Sequence, residues 1–457
     1  MRTMLLAAAT CCFVAPVKAH PIAITDTTVI DPRSGSVRPH YTVVVEGDRI
    51  IAVQPASLAV PKRAKRVSGA GKYLMPGLWD AHTHLSKTGE AGLTLFVANG
   101  VTGVRDMGSN LDEVAGWKEA IRTGLIVGPR IKYSGPMLEA ASNITRMRAQ
   151  NGIENVDRQR VGLANADEAR REVQKLALAG VNQIKMRTSP DLASFEAVAD
   201  EARRHNLPFA AHPRDPEEML QARLSSTEHF LTYPPLNLDA AARGALFKRL
   251  ADQGMRVDNT FVVYQGVTTP YEKGKRILAG DGAIADPRRK YVCGYLLKDW
   301  AEQLEEAREG GFGEITANLP AWYRDFREMH EAGVPLLAGS DAAVLFVYPG
   351  FSIHDQLELM VRDIGLPAMD VLKIATTGVP DYFGEAHRAG AVAPGQSADL
   401  LLLDANPLHD IGATRRVRGV MAQGRWFGRA DLNKALHRVE RDAVGNCQLG
   451  SKAGVRA

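Results

Sequence analysis

Six residues spread over 260 positions, His82, His84, Lys185, His212, His229 and Asp341, are of the kinds that can bind a divalent metal. Each lies near the end of a short apolar run. The first pair sits in Leu-Trp-Asp-Ala-His82-Thr-His84-Leu and the last in Leu-Leu-Ala-Gly-Ser-Asp341. Alternate residues of a strand point to one face, so His82 and His84 can hold one ion together. If the runs are parallel strands of one barrel, all six side chains converge at its C-terminal mouth. The chemistry of such a site is two-metal hydrolysis.

The donor set of four imidazoles, one carboxylate and one amine suits zinc or another borderline divalent ion. A lysine amine is a poor ligand, so Lys185 matters only as the carbamate formed with carbon dioxide, which can bridge two metals about 3.5–4 Å apart. Two cations would bring a bridging water towards a neutral pKa and make hydroxide the nucleophile. Asp341 is the expected catalytic residue: it would ligate one metal, accept the proton of that water and pass it to the leaving atom. Four further residues are candidate substrate contacts. Tyr233, after His229, and Tyr264, past the seventh strand, could stabilise an oxyanion, with packing as the competing reading. Arg187 shares the face of Lys185 and could bind a substrate carboxylate, or form a surface ion pair. His354 begins a helical segment after the last strand, near the expected mouth.

The elements that must position these residues are legible as short apolar runs at 78–84, 101–106, 130–135, 182–187, 207–212, 225–231, 256–262 and 334–341. Helical stretches separate most of them, as at Asp167 to Ala179, Asp191 to His205 and Leu238 to Gln253. Eight strands alternating with helices predict an α/β fold, a (β/α)8 TIM barrel over 77–384. A doubly wound sheet is the competing reading, but no Gly-x-Gly-x-x-Gly follows the first strand. The β-type segments at 20–76 and 385–430 are expected to form one small β-sandwich domain from both ends, leaving 431–457 as a tail. Two long connections, 136–164 and 262–333, leave strand ends on the active face and are lid candidates.

Bulk properties narrow the class. The chain has 457 residues, 45% hydrophobic and 24% charged, with a formal net charge of +4. A charge so small and evenly spread gives no footprint for nucleic acid. Arg2, the apolar stretch Met4 to Ala15 and the small-residue end Val17-Lys18-Ala19 read as a signal peptide over 1–19, making the protein exported, periplasmic or secreted. A lipoprotein start through Cys11 is the alternative. About twelve apolar residues are too few to span a bilayer, so no stable membrane insertion is expected. Cys293 and Cys447 remain after cleavage, either paired or as free thiols. Homo-oligomer formation is left open.

The motifs together resemble the metal-dependent amidohydrolase superfamily over essentially the whole mature length. The matching segments are Met75-Pro76-Gly77-Leu78-Trp79-Asp80-Ala81-His82-Thr83-His84, Gln183-Ile184-Lys185, Phe209-Ala210-Ala211-His212, Ser226-Thr227-Glu228-His229 and Ala338-Gly339-Ser340-Asp341. Gly390 to Leu400 resembles the family's return into its small β domain. The resemblance implies that His82, His84 and Asp341 hold a buried metal and His212 and His229 a more exposed one, with carbamylated Lys185 between. Ile-Lys on the fourth strand is similar to the branch of imidazolonepropionase-like and Xaa-Pro dipeptidase-like enzymes, which cleave amide bonds of dipeptides and N-acyl amino acids. That branch often places Gly-Gly-His after Ser-Gly-Pro-Met, whereas here Ser134-Gly135-Pro136-Met137 is followed by Leu138-Glu139-Ala140-Ala141-Ser142-Asn143. Asn143 and Arg146 are the candidates to take over that contact. The resulting expectation is an exported binuclear zinc amidohydrolase acting on a small amide or dipeptide. A one-metal deaminase or cyclic-amide hydrolase and a non-catalytic ligand-binding barrel are the alternatives.

Overall fold

A computed structural model of the chain describes residues 20–151, 158–212, 214–229, 238–310 and 313–444. The expected signal segment, Tyr233 and Cys447 lie outside the described residues. From Ile22 the chain runs through five strands, β1 (Ile22–Asp31), β2 (Ser36–Glu46), β3 (Arg49–Pro55), β4 (Lys65–Ser68) and β5 (Tyr73–Pro76). β1 pairs antiparallel with β2, and its other edge is shared by β4 along Ile22–Thr25 and β5 along Thr28–Val29. Register shifts around Thr27 break the ladder where the second edge changes partner, the usual work of a bulge.

Ten short parallel strands follow: β6 (Leu78–Thr83), β7 (Val101–Asp106), β8 (Arg130–Tyr133), β9 (Met137–Ala140), β10 (Arg160–Leu163), β11 (Ile184–Met186), β12 (Phe209–Ala211), β13 (Ser226–Glu228), β14 (Arg256–Asp258) and β15 (Leu336–Leu337). They form one sheet ordered β6-β7-β8 and another ordered β10-β9-β11-β12-β13-β14-β15. β6 and β7 are buried at every position, as expected of parallel strands covered on both faces. Hydrogen bonds link the sheets at both seams. Ala81 donates to the Ala338 carbonyl at 3.0 Å and Asp341 to the His82 carbonyl at 2.8 Å, while Asn182 donates to the Tyr133 carbonyl at 2.8 Å. The architecture is a TIM-barrel-like α/β fold beside a β-rich domain.

The last strands, β16 (Leu400–Leu403), β17 (Val417–Ala422) and β18 (Arg425–Gly428), return to the first sheet, where β16 pairs with β5 from Leu400↔Pro76 to Leu403↔Tyr73. All eight end strands thus hydrogen-bond into one sheet. The run of four leucines in β16 follows from position. Leu400 and Leu402 join the core of this sheet with Val43, Leu74 and Met421, while Leu401 and Leu403 join the core that includes Leu78 and Val101.

Three expectations are corrected. The connection 136–164 is not a bare lid, because Gly135, in a left-handed conformation, and Pro136 bend the third strand, which resumes as β9 and is joined by β10. Of the run 256–262 only Arg256–Asp258 is strand, and Phe261–Val267 is helix, since Thr260 begins the helix and Phe261 is drawn into the core. Residues 429–444 form a helix rather than a tail, burying Leu432 and Val439 seven residues apart on one stripe.

The insertion before β15 is anchored, not loose. Helix Gly294–Gly310 buries Trp300 completely against Leu345 and Tyr348, and the indole Nε1 donates to the Ala343 carbonyl at 3.1 Å. Gln303 Oε1 accepts from Leu345 N at 3.0 Å. The insertion therefore fixes the loop that leaves Asp341. Trp300→Ala is expected to cost about 3–5 kcal/mol through the cavity left behind, whereas Trp300→Phe, which loses mainly the hydrogen bond, costs about 1 kcal/mol. Urea unfolding midpoints check this, and equal losses for the two variants would assign the anchor to the hydrogen bond instead.

Candidate metal centre

The strand ends bring the predicted residues together. His82 ends up buried on β6 with its ring 5.4 Å from His84 and 4.9 Å from His229, and His212 lies edge-on to His229 at 4.8 Å. Asp341 Oδ1 stands 3.0 Å from His84 Nε2 and 3.7 Å from His82 Nε2. His82, His84 and Asp341 each present one ligand atom within 4.8 Å of the others. Lys185, fully buried on β11, faces the same space and its charge is felt at His82, His212 and His229. Two of the six need unusual backbone to aim inward: His229 has φ 72° and Asp341 φ 62°. A non-glycine residue holds such a conformation only when its surroundings impose it.

The Nδ1 atoms of three rings are held from behind. His82 Nδ1 donates to Glu228 Oε2 at 3.1 Å and His84 Nδ1 to the Gly108 carbonyl at 3.2 Å, while His229 Nδ1 pairs with Thr260 Oγ1 at 2.6 Å. A carboxylate or carbonyl can only accept, so Nδ1 carries the proton in the first two rings. Nε2 is then the ring atom left to bind in each, with its lone pair turned towards the centre at His84 and uncovered at His82 on loss of a proton, the arrangement of metal-binding histidines. At His84 that lone pair faces a carboxylate oxygen across 3.0 Å, close to the separation of two ligands on one ion with bonds of about 2.0–2.1 Å. The buried His82 Nε2, Lys185 Nζ and Asp341 Oδ1 have no hydrogen-bond partner among the described residues. The site fits a cation.

Electrostatics agree. Burial, aided by the Lys185 charge, holds His212 well below its ordinary pKa, and burial takes His229 down to about 3, so both stay neutral. Burial also lowers His82, but Asp341 and hydrogen bonds to Asp258 and Glu228 outweigh it and push the ring to about 9. Metal binding there displaces a proton. Asp341 would rise through burial, but His82, His84 and His229 hold its carboxyl well below the usual range. Burial draws Lys185 down to about 8, leaving a share of reactive neutral amine near neutrality.

Beneath His82 lies a charged layer to which the sequence reading gave no role. Arg105 on β7 is fully buried, and its Nη2 donates to Glu228 Oε2 at 2.6 Å and to Asp258 Oδ2 at 3.1 Å. Its Nη1 donates to Ser226 Oγ at 3.0 Å and its Nε to the Ala81 carbonyl at 2.5 Å, with the Tyr382 ring packed on the guanidinium. His82, Glu228 and Asp258 also lie close enough to form a ligand group of their own, but there the guanidinium already supplies the positive charge. Asp80, buried and raised to about 7 mainly by desolvation, accepts from Ser340 N at 2.8 Å and from His82 N at 3.3 Å, fastening the first strand to the last. Gly339 is required in this packing, because a Cβ would meet His82 Cβ at 2.5 Å and Asp258 Oδ2 at 2.6 Å. The available signal was a charged residue ending an apolar run, as in Val-Thr-Gly-Val-Arg105-Asp and Met-Arg-Val-Asp258.

The remaining candidates separate. Tyr264 is buried on the helix after β14, its ring against Phe261 and Trp322 and its hydroxyl raised well above the ordinary value by burial and then by the Asp341 charge. Arg187 lies at the rim, 3.4 Å from Glu139. Asn143 and Arg146 occupy the helix after β9, where Asn143 donates to Glu139 and Arg146 to Asn143. His354 is corrected. It is buried, with Nδ1 on Thr414 Oγ1 and Nε2 on the Asn99 carbonyl, both at 2.9 Å. Asn99 precedes β7, so His354 sits at the opposite strand ends from the metal residues and packs the fold. Cys293 is disulfide-bonded.

Two outcomes follow from the charged layer. Arg105→Met leaves two buried carboxylates facing each other and is expected to destabilise the protein by about 3–5 kcal/mol in chemical unfolding; a neutral result would show the layer to be dispensable. Glu228→Gln is expected to weaken metal binding about 10–100-fold in chelator competition while the circular dichroism spectrum is kept.

The amidohydrolase family model matches residues 73–427. Ochratoxinase of Aspergillus niger is 24% identical over 433 residues, covering 82% of this chain and 80% of that enzyme. Imidazolonepropionase of Geobacillus kaustophilus is 20% identical over 400 residues, covering 79% and 83%. A solved Xaa-Pro dipeptidase with methionine bound in its active site superposes with a TM-score of 0.69 at 18% identity, covering 89% of this chain and all of that one. At that identity the likeness speaks for the fold.

Proposed function

Because the chain belongs to the amidohydrolase family, we propose that it is an exported, binuclear metal-dependent hydrolase of C–N amide bonds whose substrates are dipeptides or N-acyl amino acids. The observation that carries this reading is the inward convergence of unpartnered donors, above all the buried Lys185 Nζ among three histidines and Asp341. A buried ammonium without an acceptor is costly. A neutral amine that adds to carbon dioxide, losing a proton to become a carbamate, turns that cost into an anionic ligand. The strands carrying these residues would close into an eight-stranded barrel. In this reading His82, His84, His212, His229 and Asp341 would hold the ions, with a carbamylated Lys185 as a further, anionic ligand. Zinc suits the donor set.

The bound ions supply Lewis acidity, easing deprotonation of water and polarising the substrate carbonyl. In this reading Asp341, with its oxygens among the histidines, would take the proton of the attacking water and return it to the leaving nitrogen. In this reading Tyr264, its hydroxyl kept protonated by burial and the Asp341 charge, would donate to the carbonyl oxygen as charge builds there. Arg105, Glu228 and Thr260 orient the rings and touch no substrate. The expected signal segment and the disulfide at Cys293 support export. Among the described residues no helix is long and apolar enough to cross a membrane.

The test is metal analysis paired with a hydrolysis screen of dipeptides and N-acyl amino acids. Wild type is expected to hold two ions per chain and to cleave members of the panel. Lys185→Ala is expected to lose bound metal and to fall by orders of magnitude in turnover. One tight ion per wild-type chain, or full activity in Lys185→Ala, contradicts the bridging role.

A further inference from the structure

A cavity of about 250 Å³ opens in the seam between the parallel strands and the end sheet. It is lined by Lys118 and Arg122 of the helix Leu111–Arg122, by Arg130 and Lys132 of β8, and by Arg388. An adjoining hollow of about 480 Å³ shares Arg122 and Arg130 and adds Arg425 from the start of β18. Arg130 opens its strand, whereas His82 lies near the end of β6. The cavity therefore lies at the opposite strand ends from the metal residues.

Carboxylates answer only part of this charge. Arg130 Nε donates to Asp399 Oδ2 at 2.5 Å and Lys132 Nζ to Glu385 Oε1 at 2.6 Å, while Arg122 pairs with Glu119 one turn back along its helix. Asp48 stands 3.7 Å from Arg130 Nη2, too far for a hydrogen bond, and that buried nitrogen has no partner among the described residues. Among the described residues no carboxylate lies within ion-pair distance of Lys118, Arg388 or Arg425. Six basic side chains thus face four carboxylates, and two positive charges are left over. Desolvation and then the Lys132 charge lower the Lys118 pKa, so the excess is felt within the cavity.

Like charge gathered on the wall of a concavity focuses the field there and draws anions in. Arg130 and Lys132 alternate on β8 and so share a face. Guanidinium forks match oxyanions, which accept two parallel N–H bonds from each. The buried Trp79, Ile121 and Ile131 add apolar lining, which suits an anion with a carbon skeleton. A single negative charge would leave the excess half answered. We propose that this seam binds a compact oxyanion with at least two negative charges, a phosphate monoester or a polycarboxylate, and that the bound anion ties β8 to the end sheet. The site is separate from the metal centre and does not depend on the hydrolase reading.

The probe is radiolabelled sulfate in equilibrium dialysis against the full chain at constant ionic strength, with metal bound and with metal removed. Wild type is expected to bind one sulfate per chain in both states. Lys118→Met and Arg388→Met should each weaken binding by about tenfold or more, and Lys118→Arg should keep most of it. Lys298→Met, which removes the same charge from an exposed helix elsewhere, should change nothing, with circular dichroism unaltered in all four. Unlabelled phenyl phosphate and tricarballylate should compete, and the stronger of them identifies the source of the oxyanion. No saturable binding, sulfate held only by the metal-loaded chain, or undiminished affinity in both Lys118→Met and Arg388→Met overturns the site. Nitrate competing as well as phenyl phosphate overturns the requirement for two charges.

Discussion

The structure turns on compensating buried negative charge. Glu228, Asp258 and Asp341 are all withdrawn from water at the heart of the parallel strands. Unpaired, each would cost several kcal/mol. Arg105 answers Glu228 and Asp258 from below, and the His82 ring, raised to about 9, answers Asp341 at 3.7 Å from above. Because the guanidinium spans Glu228, Asp258, Ser226 and the Ala81 carbonyl, it also fixes the relative positions of β6, β7, β13 and β14. The same carboxylate that Arg105 neutralises holds His82 Nδ1, so compensation and ligand aim are one arrangement. The aim of the convergent donors thus depends on a residue that is not one of them.

Around this layer the fold supplies rigidity where the site needs it. Asp80 ties Ser340 to His82, and Gly339 lets the last strand approach the first without a clash. The loop after Asp341 is clamped by Trp300 and Gln303 from an insertion more than thirty residues earlier in the chain. A left-handed Asp341 could not be held by a free loop. The insertion is a buttress first.

The convergence of the six residues was legible because chemistry and pattern coincide there: each ends a short apolar run, and an ionisable side chain in that place needs a reason. The same signal marked Arg105, Glu228 and Asp258, but a charge inside a strand reads equally well as an exposed face until its partners are known, and those partners lie 121 to 153 residues away. His354 was misplaced because a helix start after the last strand has no direction in sequence. Only the contacts with Asn99 and Thr414 put it at the far end. The bend at Gly135-Pro136 looked like the end of a strand because glycine and proline mark both bends and ends. The four leucines of β16 show the converse: a run without alternation was legible as a strand, but not that its two faces serve two cores.

The central claim is that the convergent donors hold two ions bridged through Lys185. Anomalous diffraction from crystals of the zinc-loaded protein tests it most directly. The account predicts two zinc peaks about 3.5–4 Å apart, one beside His82, His84 and Asp341 and the other beside His212 and His229, with density extending beyond Lys185 Nζ to both. A single peak, with Lys185 ending at its amine, would contradict it.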